Sequence, residues 1–187
     1  MKNILVVLSG PSGVGKGTVV SELLKHGNYA LSVSCTTREM REGEKEGVSY
    51  FYISKDEFKT LIGRDGFLEY NEHFGNFYGT PRAFVENELK NRDVILEIEV
   101  DGALQVKKTY PDALLIMIAP PDENALRARL KKRGSESEDK IEKRIARMQY
   151  ELSKREEYDY TVVNDVLETC VSSIENIIKS EKEKRND

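Results

Sequence analysis

No apolar run in this sequence approaches the roughly 20 residues needed to cross a bilayer, so no membrane partner is expected. The apolar stretch after Met1-Lys2-Asn3 runs only from Ile4 to Leu8, too short for the core of a secretion signal. Cysteine is scarce: Cys35 and Cys170 stand far apart without metal-type spacing. They read as reduced thiols in a cytoplasmic protein, not as a disulfide frame. Histidine is as scarce, and His26 and His73 read as structural or exposed rather than catalytic. Positive charge is not in excess, since 29 Lys and Arg stand against 33 Asp and Glu, for a net charge of -4. A general nucleic-acid binder needs a basic footprint, so that class is set aside. Internal repeats are absent as well.

What is present fits one α/β core with inserted pieces. A chain of 187 residues can bury roughly 70% of its unfolded surface and needs no covalent staples. Ile4 to Leu8 is a solid apolar run closed by Gly10-Pro11-Ser12-Gly13, the pattern of a strand buried on both faces. Tyr29 to Val33, Val94 to Val100, Leu114 to Ile118 and Thr161 to Val163 read as further strands. Helical patterns separate them at Pro81 to Lys90, Asp101 to Thr109, Asn124 to Lys132, Ile141 to Lys154 and Val166 to Lys182. Such alternation predicts a parallel sheet covered by helices. Residues 34–80 break the pattern with short strands, a polar tract and a capping box at Ser54 and Glu57. They read as an inserted mixed α/β lobe. The core then comprises 1–33 and 81–187, with a short lid at about 132–139.

Gly10-Pro11-Ser12-Gly13-Val14-Gly15-Lys16 matches the phosphate-loop pattern G-x-x-x-x-G-K between a buried strand and an amphipathic helix. Glycines let successive backbone N–H groups converge on one anion, and the helix start adds its positive dipole end. Ser12, Gly13, Val14, Gly15, Lys16, Gly17 and Thr18 are therefore candidate ATP-binding residues, with Lys16 the catalytic charge. The position after the lysine is Gly17, where a hydroxyl for Mg²⁺ usually stands, and Thr18 lies one residue on. Mg²⁺ is then expected to be held by nucleotide oxygens and water rather than directly by the protein. No Asn-Lys-x-Asp motif of the GTPase type occurs. A second anion site is expected in the insert, where Arg38 and Arg41 stand among hydroxyls and Tyr50 and Tyr78 follow. A guanidinium fork fits a phosphate dianion, and a tyrosine hydroxyl can donate to the same oxygens.

Ser34-x-x-Thr37-Arg38-x-x-Arg41-x-Gly43-Glu44, Gly47-x-x-Tyr50, Glu69 and Gly75-Asn76-Phe77-Tyr78-Gly79-Thr80 together resemble the guanylate kinase family. The resemblance extends over nearly the whole chain, through Ala119-Pro120-Pro121, Arg133-Gly134-Ser135-Glu136 and Val162-Val163-Asn164-Asp165. It implies a phosphate-loop enzyme that moves the γ-phosphoryl of ATP to GMP, and to dGMP, with Mg²⁺. It further implies that Arg38, Arg41, Tyr50 and Tyr78 hold the GMP phosphate, with Glu97 nearby. Ser34, Glu69 and Thr80 would read the guanine, the two hydroxyls donating to its carbonyl. Arg129, Arg133 and Arg144 would neutralise charge on the transferred group, and Asn164 would touch ATP. Arg127 fits better as the partner of nearby glutamates.

Two positions depart from the family pattern, which has Asp at 99 and Gln at 101. Here they are Glu99 and Asp101. Glu99 reaches one methylene further toward any metal-bound water, and Asp101 reads as a cap of the helix that follows. Two rivals remain open on the sequence. One is a kinase for a related nucleotide. The other is a module that keeps this fold to bind phosphorylated peptides, against which the intact Lys16 loop weighs.

Overall fold

The computed structural model describes residues 2–132 and 138–185, with side chains for 2–128 and 141–185. Its main sheet has five parallel strands in the order β2-β7-β1-β8-β9. They are β1 (Leu5–Ser9), β2 (Tyr29–Leu31), β7 (Asp93–Glu97), β8 (Leu114–Ala119) and β9 (Tyr160–Val163). The apolar run of β1 is continuous because both faces are covered. Val6 and Leu8 pack with Val19, Val20 and Leu23 of α1 (Lys16–His26) and with Val171 and Ile174 of α7 (Leu167–Lys184). Leu5 and Val7 face the opposite layer, with Val85 of α3 (Arg82–Glu88) and Ala103 and Val106 of α4 (Val100–Thr109). β1 lies between β7 and β8, so the chain leaves it in one direction first and returns on its other side later. Ligands gather at the carboxyl ends of strands beside such a switch.

A second sheet has the order β4-β3-β6-β5. It is built from β3 (Cys35–Thr36), β4 (Phe51–Tyr52), β5 (Phe67–His73) and β6 (Asn76–Pro81), with β3 and β4 parallel and the other pairs antiparallel. Helix α2 (Lys55–Gly63) covers it by stacking Phe58 on Phe67 and Phe77, with ring centroids 4.3 and 5.3 Å apart. The expected capping box is formed: Ser54 Oγ accepts from Glu57 N at 3.2 Å, and Glu57 Oε2 accepts from Ser54 N at 2.8 Å. The second sheet is tied to the core through α4, since Thr109 Oγ1 donates to Leu68 O at 2.7 Å and Gln105 Nε2 to Asn71 Oδ1 at 3.1 Å.

Strand β7 ends at Glu97, short of the expected Val100. Val100 is buried because it opens α4 against the core, not because the strand reaches it. Helices α5 (Glu123–Lys132) and α6 (Glu138–Ser153) flank the expected lid, whose body, 133–137, lies outside the described residues.

Candidate active site

Glycines shape the phosphate loop, and at two of them a side chain would be strained and crowded. Gly10 has φ 140°, and a Cβ there would stand 2.1 Å from Ile118 O. Gly15 has φ 99°, and a Cβ would stand 2.8 Å from Asn164 Nδ2. Helix α1 then starts at Lys16 with no side-chain cap, so its first N–H groups face the cleft with its dipole end. The cleft has a volume of about 560 Å³ and is bounded by the loop, by Glu97, Ile98 and Glu99 after β7, and by Glu151. Ser12, Gly13, Gly15, Lys16, Gly17 and Thr18 all line it. Lys16 Nζ is folded back on its own loop, donating to Gly10 O at 2.6 Å and Pro11 O at 3.2 Å. Burial lowers the pKa of this ammonium, and Glu97, then Glu151 and Glu99, act in the opposite direction. Glu97 in turn has its pKa raised by burial, against the pull of Lys16.

Val14 and Asn164 lie behind the loop, not on its open side. Both are buried, and Asn164 Nδ2 donates to Val14 O at 2.8 Å while its backbone N–H reaches Ala119 O at 2.8 Å. Asn164, expected on ATP, is bonded here to the backbone of the loop.

At the other end, Glu69 is nearly buried and its carboxylate is oriented by neighbours. Thr80 Oγ1 donates to Oε1 at 2.7 Å and Asn71 Nδ2 to Oε2 at 3.3 Å. A carboxylate only accepts, so Thr80 has its proton committed to Glu69. In this arrangement Thr80 presents its lone pairs to the space beside Glu69. Burial raises the Glu69 pKa, and the Thr80 hydrogen bond only partly offsets this. Gly102 lets α4 approach, since a Cβ there would stand 2.9 Å from Glu69 Oε2.

The cluster of Arg38, Arg41 and the tyrosines in the second sheet is assembled around Glu44, for which the sequence pattern implies no role. Glu44 accepts from Arg38 Nη2 at 2.7 and 3.0 Å, from Arg41 N at 2.8 Å and from Tyr52 OH at 2.7 Å. The Arg38 bond, followed by those of Arg41 and Tyr52, holds the Glu44 carboxyl at about 2. Arg38 in turn lies over the Tyr50 ring, 5.6 Å from its centroid, and beside the Tyr78 hydroxyl. The Tyr50 and Tyr78 rings meet edge to face at 6.0 Å. Arg41 is exposed beside them. The signal in sequence was one acid three residues after Arg41, in a loop where the arginines need a fixed partner.

On the lid side, Arg144 Nη1 donates to Ser12 Oγ at 3.2 Å, bringing α6 to the phosphate loop. The side chain of Arg129 and the whole of Arg133 lie outside the described residues. Arg127 pairs with Glu142 and, at 3.4 Å, with Glu123, as its sequence context predicts. Asp101 is not a cap. The residue before α4 is Glu99, which makes no side-chain cap, and Asp101 sits in the first turn with its carboxylate bonded to Arg147 and Tyr150. Its position two residues past the N-cap leaves the side chain bonded to α6 instead of to the helix's own amides.

Among the described residues no three His, Cys, Asp or Glu side chains form a group able to hold a metal ion. Glu97, Glu99 and Glu151 are the carboxylates lining the cleft without forming such a group, and Gly17 offers no hydroxyl. This donor set fits a cation that arrives with a nucleotide and meets the protein through water.

The family model described as guanylate kinase matches residues 2–181. The crystal structure of a guanylate kinase from Anaplasma phagocytophilum is similar to this chain at 33% identity and a TM-score of 0.74. That similarity covers 96% of this chain and 86% of the other. Among the described residues no helix is long and apolar enough to cross a membrane.

Proposed function

The chain belongs to the guanylate kinase family and is an ATP:GMP phosphotransferase, and we propose a division of labour among its residues. The loop 10–18 takes the donor phosphates on its amides, and Lys16 turns from the carbonyls of Gly10 and Pro11 to the β- and γ-phosphates. Arg38, Arg41, Tyr50 and Tyr78 take the phosphate of GMP in the lobe 34–80. Mg²⁺ bound with ATP would supply charge neutralisation of the phosphates, and Glu97 and Glu99, which line the cleft, would be the residues to meet its water ligands. Arg144, together with Arg129 and Arg133, neutralises the group in transit. Phosphoryl transfer asks for little covalent work, so positioning and electrostatics carry the rate. Two buried reduced thiols suit a cytoplasmic setting.

The observation that carries the base assignment is the Glu69–Thr80 pair. Guanine presents two adjacent donors, N1–H and the exocyclic amine, and an ionised carboxylate accepts both. Thr80 fixes the carboxylate and offers a lone pair to the same amine. Adenine presents an acceptor at N1, and a lone pair opposite a buried carboxylate is costly. The test is ADP release with ATP and a panel of GMP, dGMP, IMP, AMP and UMP. GMP and dGMP are expected to turn over, IMP to be weakened by its missing amine, and AMP to fall roughly 10⁴-fold or more behind GMP. Equal turnover of AMP and GMP would remove the base assignment.

A further inference from the structure

Helix α6, which follows the expected lid, is bonded to α4 at the cleft rim by Arg147 and Tyr150. Arg147 Nη2 donates to Asp101 Oδ2 at 2.7 Å, in the first turn of α4, and Arg147 Nε donates to Glu151 Oε1 at 3.1 Å, one turn along α6. Tyr150 OH donates to the other oxygen of Asp101 at 3.0 Å, and its ring lies 5.0 Å from the Arg147 guanidinium. Glu99, on the cleft wall, stands 3.9 Å from the same guanidinium. Two side chains of α6 therefore grip one carboxylate of α4.

The apolar side of α6 gives that grip its importance. Among the described residues, Ile141, Ile145 and Met148 cluster with Leu126 of α5, and Leu152 is the residue shared by this cluster and the core beneath the sheet. The rotation of α6 relative to the phosphate loop is thus set at the cleft by polar bonds. Arg144 lies three residues before Arg147, on the same face of the helix. It is the residue that reaches Ser12 Oγ. A turn of the helix that broke the Asp101 bonds would swing Arg144 off the loop. Arg147 also neutralises Glu151, which is buried, has Oε2 without a hydrogen-bond partner, and lines the donor cleft.

We propose that Asp101, Arg147 and Tyr150 are positioning residues that fix α6 against α4 and so hold Arg144 over the phosphate loop for phosphoryl transfer. The inference rests on the phosphotransfer reading above and adds residues to it. Its test is steady-state kinetics of Asp101→Ala and Arg147→Gln, each in the wild-type and in an Arg144→Ala background. Asp101 and Arg147 are about half exposed, with side chains 40% and 43% accessible, so the variants should fold, and circular dichroism checks this. Should one of them not fold, the other carries the test.

In the wild-type background kcat should fall roughly 10- to 100-fold, the cost of misplacing a catalytic group by about 1 Å. KM for GMP should stay within about twofold, because its phosphate site is built on other elements. In the Arg144→Ala background the same substitutions should change kcat by less than about twofold, since the group they position is gone. Equal losses in both backgrounds overturn the proposal, as does an unchanged kcat in the single variants or in Arg144→Ala itself. Wild-type turnover of GMP separates the two readings. Its absence defeats the phosphotransfer assignment and the positioning role together, whereas failure of the positioning role alone leaves it intact.

Discussion

At Lys16 two opposing influences meet. Burial favours the neutral amine and lowers the pKa from 10.5, while Glu97 favours the ammonium and raises it. Loss of the Glu97 charge removes the raising influence, so Glu97→Gln should move the alkaline limb of the kcat–pH profile to lower pH. A limb that stays put or moves up would mean that Glu97 does not act on Lys16. Lys16→Met should abolish turnover while circular dichroism stays native, and activity within about tenfold of wild type would remove Lys16 from the chemistry. Glu69 gives the acid limb. Its carboxyl has a pKa raised above 4.5 by burial, and only the ionised form accepts both guanine donors. The kcat/KM for GMP should therefore fall with acid at a higher pH than an ordinary glutamate would give, and the Glu69→Gln variant should lack that limb. For folding the sign is the reverse of a salt-bridged acid: ionised Glu69 costs stability above its folded pKa, and the cost vanishes below the unfolded value. Glu69→Gln sets an amide N–H₂ against one guanine donor and loses about 1.5–3 kcal/mol, roughly a 10- to 150-fold fall in kcat/KM for GMP. The same amide can pair with adenine, so the GMP/AMP ratio should shrink. An unmoved ratio would leave base choice to Ser34 and Thr80.

Among the elements, the loop between β3 and β4 is the one whose order depends on charge. Glu44 gathers a guanidinium, a backbone N–H and a hydroxyl, and Arg38 is the largest reason its carboxyl titrates near 2. A depressed carboxylate contributes stability that is fully present above about 4.5 and is lost as pH falls toward 2. Carboxyl NMR should find Glu44 still ionised where other exposed glutamates are half protonated, and a titration near 4.5 would refute the cluster. Glu44→Gln should raise KM for GMP by roughly fivefold and leave KM for ATP alone, because it frees Arg38 without touching the phosphate loop. The role of Glu44 is not legible in the sequence, because its three donors, from the loop and from β4, meet only after the loop folds. Strand ends were misread for a similar reason. Val94 to Val100 is mostly apolar, but β7 stops at Glu97 and the buried Val100 belongs to α4. Apolarity reports burial and does not say which element does the burying.

Among the described residues the chain crosses between its two sheets at 32–34 and 81–82, so a swing of the second sheet needs few backbone changes but must shift the α4 bonds to Leu68 and Asn71. A bisubstrate analogue that joins adenosine to guanosine through phosphates should lower the radius of gyration in solution scattering. An unchanged value would count against closure. Such closure excludes water, which would otherwise take the phosphoryl group. The phosphate-loop motif, the two-sided burial of β1 and the family are legible in the residues alone. Each of these is written in neighbouring residues, since turn chemistry, apolar runs and short motifs act over a few positions. The contacts of Asn164, Thr80, Glu44 and Asp101 come only with the folded chain. Asn164 turns its amide to a carbonyl 150 residues away, Thr80 commits its proton to Glu69, and Asp101 meets a guanidinium on α6 instead of capping α4. A hydrogen bond fixes on whatever partner the packing delivers, and packing is set by long-range burial that local spacing does not encode.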